Sequence, residues 1–235
     1  LKILLRALRA GELKTIFISL CLSVAVVAAV SIFAERIEKA IVNESKELLG
    51  SDFIVKSSKP IPQVWIEYAV NRNIDVSRTL SFASVVFFNE NMHLAYIKAV
   101  ESNYPLRGSI LTSQLPFTYD VKQMEEFTSG PKVGEIWVES RLLPILDVEI
   151  GSKIDIGESS LTITKILIEE PEGPSFSILG SRILMNFADV ESTNVVQPGS
   201  RVTHNLLVAS SEESDINSYV SWVTEKMSSH DQLIK

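Results

Sequence analysis

Histidines, cysteine and neighbouring acids are the residues that would have to carry chemistry in this chain, and their spacing allows little of it. The three histidines, His93, His204 and His230, stand far apart, and no cysteine lies at ligand spacing from any of them. They read as surface or partly buried structural residues. The single cysteine, Cys21, lies inside an apolar run, where a buried and inert thiol is expected. Gly157-Glu-Ser159-Ser-Leu161 has the start of a nucleophile elbow but lacks the second glycine, and it falls in a predicted hairpin turn. Ser159 is therefore not expected to attack anything. Glu125-Glu126 and Glu169-Glu170 are paired in sequence only and are expected to be solvated. There is no Gly-x4-Gly-Lys-Ser/Thr loop, so the chain does not itself bind and hydrolyse ATP in that way. Trp65, Trp137 and Trp222 read as core or interface anchors. No catalytic, cofactor or metal residue is assigned.

What the sequence does specify is an anchor. Thr15 to Phe33 runs for nineteen residues without a charge. At 1.5 Å per residue it spans ~28 Å, close to the ~30 Å hydrocarbon thickness of a bilayer. Neither Gly nor Pro occurs from Glu12 to Leu49, so one helix ~57 Å long is expected over the whole stretch. Lys2, Arg6, Arg9 and Lys14 precede the run against one acid, Glu12. Those five set aside, 18 of the 22 Lys+Arg and 28 of the 29 Asp+Glu follow it. The cationic end stays in the cytoplasm by the positive-inside rule, which puts the remaining ~200 residues outside. A cleaved secretory signal ending near Ser31 is the rival reading, but the apolar run exceeds the usual 7–15 residues. Helix-forming sequence also continues past the cut, with Phe33, Ile37, Ile41 and Leu48 on one stripe of a stalk. Residues 1–14 read as a basic amphipathic segment on the cytoplasmic surface.

An acidic outer part lacks the basic stripe that nucleic-acid binding needs, and with no second cysteine it must be held by its core rather than by disulfides. Its pattern is α+β. A strand is expected over 52–57, then a helix opened by Pro62 with Trp65, Tyr68 and Ala69 on one face. A hairpin follows, turning at Asn89-Glu-Asn91, with Val85-Val-Phe-Phe88 as a central strand. Residues 108–130 have weak periodicity, and Val121 to Phe127 reads as a short helix. Beyond Pro131 come a strand at 135–138, a short helix near Pro144, a hairpin over 153–166, a loop at 170–174, and strands at 182–186 and 201–209. Ile216, Tyr219, Val220 and Val223 mark a last amphipathic helix capped by Ser214 or Asp215. The expected organisation is a membrane helix over 15–33, a stalk over 34–49, and an α+β subdomain over 50–130 completed by 201–235. A smaller, mostly-β subdomain is expected over 131–200.

Several short marks in this order resemble the first part of the FtsX-like, MacB-type ABC transporter permeases, most of all the YbbP-like ones. They are Leu5-Arg-Ala-Leu-Arg9, Gly50-Ser-Asp52 and Ala99-Val-Glu-Ser-Asn-Tyr-Pro-Leu-Arg-Gly108. Val138-Glu-Ser-Arg-Leu-Leu143, Val148-Glu-Ile-Gly-Ser-Lys-Ile154 and Ile168-Glu-Glu-Pro171 follow. Arg182-Ile-Leu-Met-Asn186, Ala188-Asp-Val190 and Gln197-Pro-Gly-Ser-Arg-Val202 complete the set. The resemblance implies a first membrane helix that extends as a stalk into a MacB-like periplasmic core domain, in the bacterial inner membrane with the N-terminus cytoplasmic. It implies a non-catalytic permease subunit whose motion is driven by a separate cytoplasmic ABC ATPase subunit, handling a lipophilic or peptide cargo. A periplasmic accessory protein is a further expected partner beside the lipid bilayer. The chain, which begins at Leu1, reads as a piece of a longer protein. The alternatives are a single-pass anchored sensor or adaptor that binds a ligand or protein outside, and a tethered hydrolase whose sole candidate nucleophile is Ser159.

Overall fold

The computed structural model describes residues 12–118, 120–172 and 180–234. Helix α1 runs unbroken over Glu12–Leu49, as the absence of Gly and Pro requires. Its apolar side chains, from Ile16 through Phe33, are exposed all round, and its window of mean hydropathy 2.7 is long and apolar enough to cross a membrane. The Ser23 hydroxyl donates to the Ser19 carbonyl at 2.8 Å, so it needs no water. Cys21 is exposed on the helix surface rather than buried, because no other element covers α1 there. Of the amphipathic segment expected over 1–14, residues 1–11 lie outside the described residues. The chain divides after Ser45, and a second unit begins at Lys46.

That unit is built on one hydrogen-bonded sheet of eleven strands. In chain order the elements are β1 (Phe53–Ser57), α2 (Gln63–Val70), β2 (Asp75–Phe88), β3 (Asn91–Val100), β4 (Ile110–Ser113), β5 (Met124–Phe127) and β6 (Glu135–Glu139). They continue as α3 (Leu142–Leu146), β7 (Lys153–Ile156), β8 (Ser159–Glu169), β9 (Ser181–Asn186), α4 (Val190–Thr193), β10 (Val202–Ala209), α5 (Glu213–Thr224) and β11 (Asp231–Ile234). The strand order is β11-β1-β10-β2-β3-β9-β6-β8-β4-β5, with β7 pairing both β2 and β8. That double pairing closes β2, β3, β9, β6, β8 and β7 into a ring, which removes their free edges. The ring is filled by Val86, Ile97, Ile136, Val138, Leu142, Leu146, Ile154, Ile163 and Ile183. A separate core forms where α2 and α5 cover β1 and β10, from Phe53, Val55, Trp65, Leu206, Val208, Tyr219 and Val223. A third lies around Ile54, Tyr104, Trp137, Leu184 and Leu207, with Leu49 at the end of α1 packed on it.

Three local expectations are corrected. Val121 to Phe127 is not a helix: a 3-10 turn over Val121–Gln123 leads into β5, which pairs with β4. The Asp120 carboxylate accepts from the Lys122 amide and so favours a single turn over a helix. The N-cap of α5 is Glu212 rather than Ser214 or Asp215, and Glu213 and Asp215 fall in its positive first turn. The helix α5 is not the last element: β11, at the edge of the sheet, follows it and pairs with β1, with Leu233 facing Val55.

Candidate functional site

Three marks of the family resemblance, at 50–52, 99–108 and 168–171, meet at the foot of α1, and Arg182 of a fourth reaches Glu170. The helix ends on Gly50, whose φ of +67° only glycine adopts without cost. The Gly50 amide donates to the Glu47 carbonyl at 3.1 Å and the Ser51 amide to the Lys46 carbonyl at 3.2 Å, the two bonds of a Schellman ending. A third orphan carbonyl, that of Leu48, accepts from the Glu172 amide at 2.6 Å. The Gly50 carbonyl in turn accepts from the Leu106 and Arg107 amides, at 2.9 and 3.0 Å. A Cβ on Gly50 would stand 2.8 Å from the Pro171 Cβ, so glycine is also needed for close approach. The Asp52 side chain is 3% exposed and accepts from the Ser210 amide at 2.9 Å and from Arg107 Nη2 at 3.0 Å, with Lys46 Nζ at 3.2 Å. Three stretches distant in sequence, at 106–107, 171–172 and 210, thus hold the last turn of the helix and the three residues that follow it.

Beneath this grip lies a buried ionic cluster. Lys98, on β3, donates to Tyr104 Oη at 2.7 Å and to the Pro171 carbonyl at 3.1 Å. It stands 3.4 Å from a Glu172 oxygen and 3.5 Å from a Glu170 oxygen. The Tyr104 hydroxyl also donates to the Pro171 carbonyl, at 2.8 Å, and Arg182 approaches Glu170 to 3.8 Å. Asn205 Nδ2 bonds both Glu172 and Thr79, at 3.2 Å each. Burial pulls the Lys98 ammonium down, but Glu172, Tyr104 and Glu170 outweigh it and hold the group above the ordinary lysine range. Burial pushes the Glu172 carboxyl up, since one ammonium shared between two acids compensates it only in part. Glu170 Oε2, Glu172 Oε1, Asn205 Oδ1 and Arg182 Nε are buried without a hydrogen bond. Such a cluster is strongly destabilised by loss of one partner, and it fixes geometry. A lysine held charged and enclosed is a cross-link, not a nucleophile.

The expectation that Glu169-Glu170 is solvated fails for the second residue. Glu169 points to solvent and Glu170 into the cluster, because they are consecutive at the end of β8. Glu125 and Glu126 are exposed on β5, Glu125 paired with Lys165 at 2.8 Å. Among the described residues Ser159 Oγ bonds Ser192 Oγ alone, at 2.8 Å, and no histidine is its partner. His93 Nε2 instead meets Ser181 Oγ at 3.2 Å, but Ser181 is 1% exposed and no carboxylate orients the imidazole. His204 is half-buried, and burial pulls its pKa down. Among the described residues no group of three His, Cys, Asp or Glu side chains could hold a metal. Trp65 and Trp222 are anchors of the α2–α5 core, and Trp137 lies in the core next to Leu49.

Comparisons with known proteins find similarity to ABC-type transporter components. Over 223 residues the chain is 31% identical to the uncharacterized ABC transporter permease YbbP of Escherichia coli strain K12, a match that bears out the resemblance read from the residues. The match takes in 94% of this chain and 26% of that protein, so the chain spans about a quarter of its relative's length. No family model matches the chain. Among solved structures, the extracellular domain of the noncanonic ABC-type transporter YknZ from Gram-positive bacteria is 12% identical. It covers 78% of this chain and 100% of its own, at a TM-score of 0.48. The periplasmic region of MacB from Actinobacillus actinomycetemcomitans is also 12% identical, covering 83% of this chain and 93% of its own at a TM-score of 0.48.

Proposed function

We propose that this chain is the N-terminal portion of an ABC transporter permease that does no covalent chemistry and relays the motion of a separate cytoplasmic ATPase to a folded body outside the membrane. The observation that carries this reading is a helix with no break from Glu12 to Leu49 whose last turn is bonded by the Glu172 amide and whose terminating Gly50 is bonded by the Leu106 and Arg107 amides. A helix end held that way cannot tilt without taking residues 106–107 and the 170–172 loop with it. Residues 15–33 cross the bilayer, 34–49 form the stalk, and the N-terminus is cytoplasmic. The α+β subdomain of 50–130 and 201–235 carries the α2–α5 core, and the mostly-β subdomain of 131–200 supplies four strands of the closed ring. The outer body handles a lipophilic or peptide cargo, with an accessory protein as a further periplasmic partner. The test is affinity purification of the full-length protein from its own host. Recovery of a nucleotide-binding ATPase subunit in stoichiometric amount is the expected result. A full-length protein with no further apolar spans and no ATPase bound overturns the reading in favour of an anchored sensor.

A further inference from the structure

The outward face of the β2–β3 ribbon breaks the alternation that an antiparallel strand pair shows when one face meets water. Val85, Phe87, Met92 and Leu94 lie on that face, 39%, 41%, 69% and 46% exposed, with Val85 opposite Leu94 and Phe87 opposite Met92. Solvent-facing apolar side chains grouped this closely mark a binding surface. The strip runs into a cavity of about 520 Å³ whose walls include Ala83, Leu94, Tyr96, Ser58, Arg201 and Thr203. That volume is in the range of small-molecule sites. The Arg201 guanidinium and the hydroxyls of Ser58, Ser81 and Thr203 lie at the cavity, and the apolar strip leads away from it along the hairpin. Arg201 is exposed and is the sole charged side chain among the described residues lining the cavity, with no ion-pair partner among them. An apolar track with one unpaired cation and hydroxyls at its end fits a chain-shaped apolar molecule that ends in an anion.

We propose that this face binds a long-chain fatty acid, its carboxylate at Arg201 and its tail along Leu94, Val85, Phe87 and Met92. The proposal rests on the permease reading only in naming where and in what form a lipophilic cargo is held; the binding itself needs no ATPase, so either can fail alone. The test uses the 235-residue chain in phosphatidylcholine nanodiscs with palmitate carrying a diazirine in its tail, the adducts being mapped by mass spectrometry. Adducts between residues 81 and 96 that unlabelled palmitate competes away are expected. Leu94→Asp with Val85→Asp abolishes them, and Arg201→Gln weakens the competition about tenfold, the loss of one hydrogen bond to a charged group. The surface substitutions leave the circular dichroism spectrum unchanged, which separates lost binding from lost fold. Adducts that fall elsewhere, or that diazirine-bearing hexadecanol forms equally well, overturn the proposal. So does self-association of the chain that Leu94→Asp abolishes in the absence of any adduct, which would assign the strip to a second copy.

Discussion

Lys98 sits within 3.5 Å of two carboxylates, a phenol and a carbonyl, and it is the side chain on which the cluster turns. Lys98→Met leaves Glu170 and Glu172 buried without their shared cation and is expected to cost about 3–5 kcal/mol. Urea midpoints followed by tryptophan fluorescence measure this directly, since Trp65, Trp137 and Trp222 all lie in the second unit. Glu172 makes a second prediction. Its pKa is raised above the ordinary 4.5 by burial, so the stability tied to this group is complete below 4.5 and is lost as pH rises through the raised value. Glu172→Gln removes that slope, so the variant gains on the parent chain between pH 4 and pH 8. Equal slopes for both chains would refute it. The lysine and the two acids were all visible in the sequence, but nothing local announced their meeting. Lys98 alternates with Tyr96 and Leu94 as any half-exposed strand residue does, and only Tyr104 and the 170–172 loop, brought from elsewhere in the chain, enclose it.

At the scale of elements, the regular parts were legible because their periodicity is local. The long helix, the 75–100 hairpin with its Asn89 turn and the β7–β8 hairpin each follow from residues within a few positions of one another. The parallel pairs β3–β9 and β6–β8 join strands that no turn connects, and the ring that β7 closes is likewise invisible in any window of sequence. The short edge strands β5 and β11 were lost for another reason: four residues carry too little alternation to register. The run Val85-Val-Phe-Phe88 reads as a central strand, and its ladder is central, yet only Val86 is fully enclosed. The helix ending makes the prediction proper to this scale. Gly50→Ala must hold φ near +67° and pushes a methyl to 2.8 Å from Pro171, so it is expected to cost about 1–3 kcal/mol. Hydrogen exchange that quickens at the amides of Ser51, Leu106 and Arg107 is the diagnostic readout, because all three are held by this junction. Unchanged protection there would show that the junction is not gripped through Gly50.

For the molecule as a whole, the proposed relay depends on stiffness as much as on sequence. Three residues, Gly-Pro-Gly, inserted after Val42 would break α1 while leaving the apolar run and the second unit intact. In the full-length protein this insertion is expected to preserve recovery of the ATPase and to abolish the transport-dependent phenotype. Insertion of three alanines, which keeps the helix, should retain part of it. Equal loss from both would mean that register rather than rigidity is what the stalk provides. The permease reading assigns the chain a function of movement rather than of chemistry. Little of that was open to a search for reactive groups.

The first and last strands among the described residues lie side by side, with Ile54 across from Ile234, so the described body begins and ends at neighbouring points. A body with neighbouring entry and exit can be lifted out and replaced by a short bridge, or grafted between two foreign helices, without re-threading anything around it. Swapping such cassettes between relatives would separate what the head recognises from what drives it.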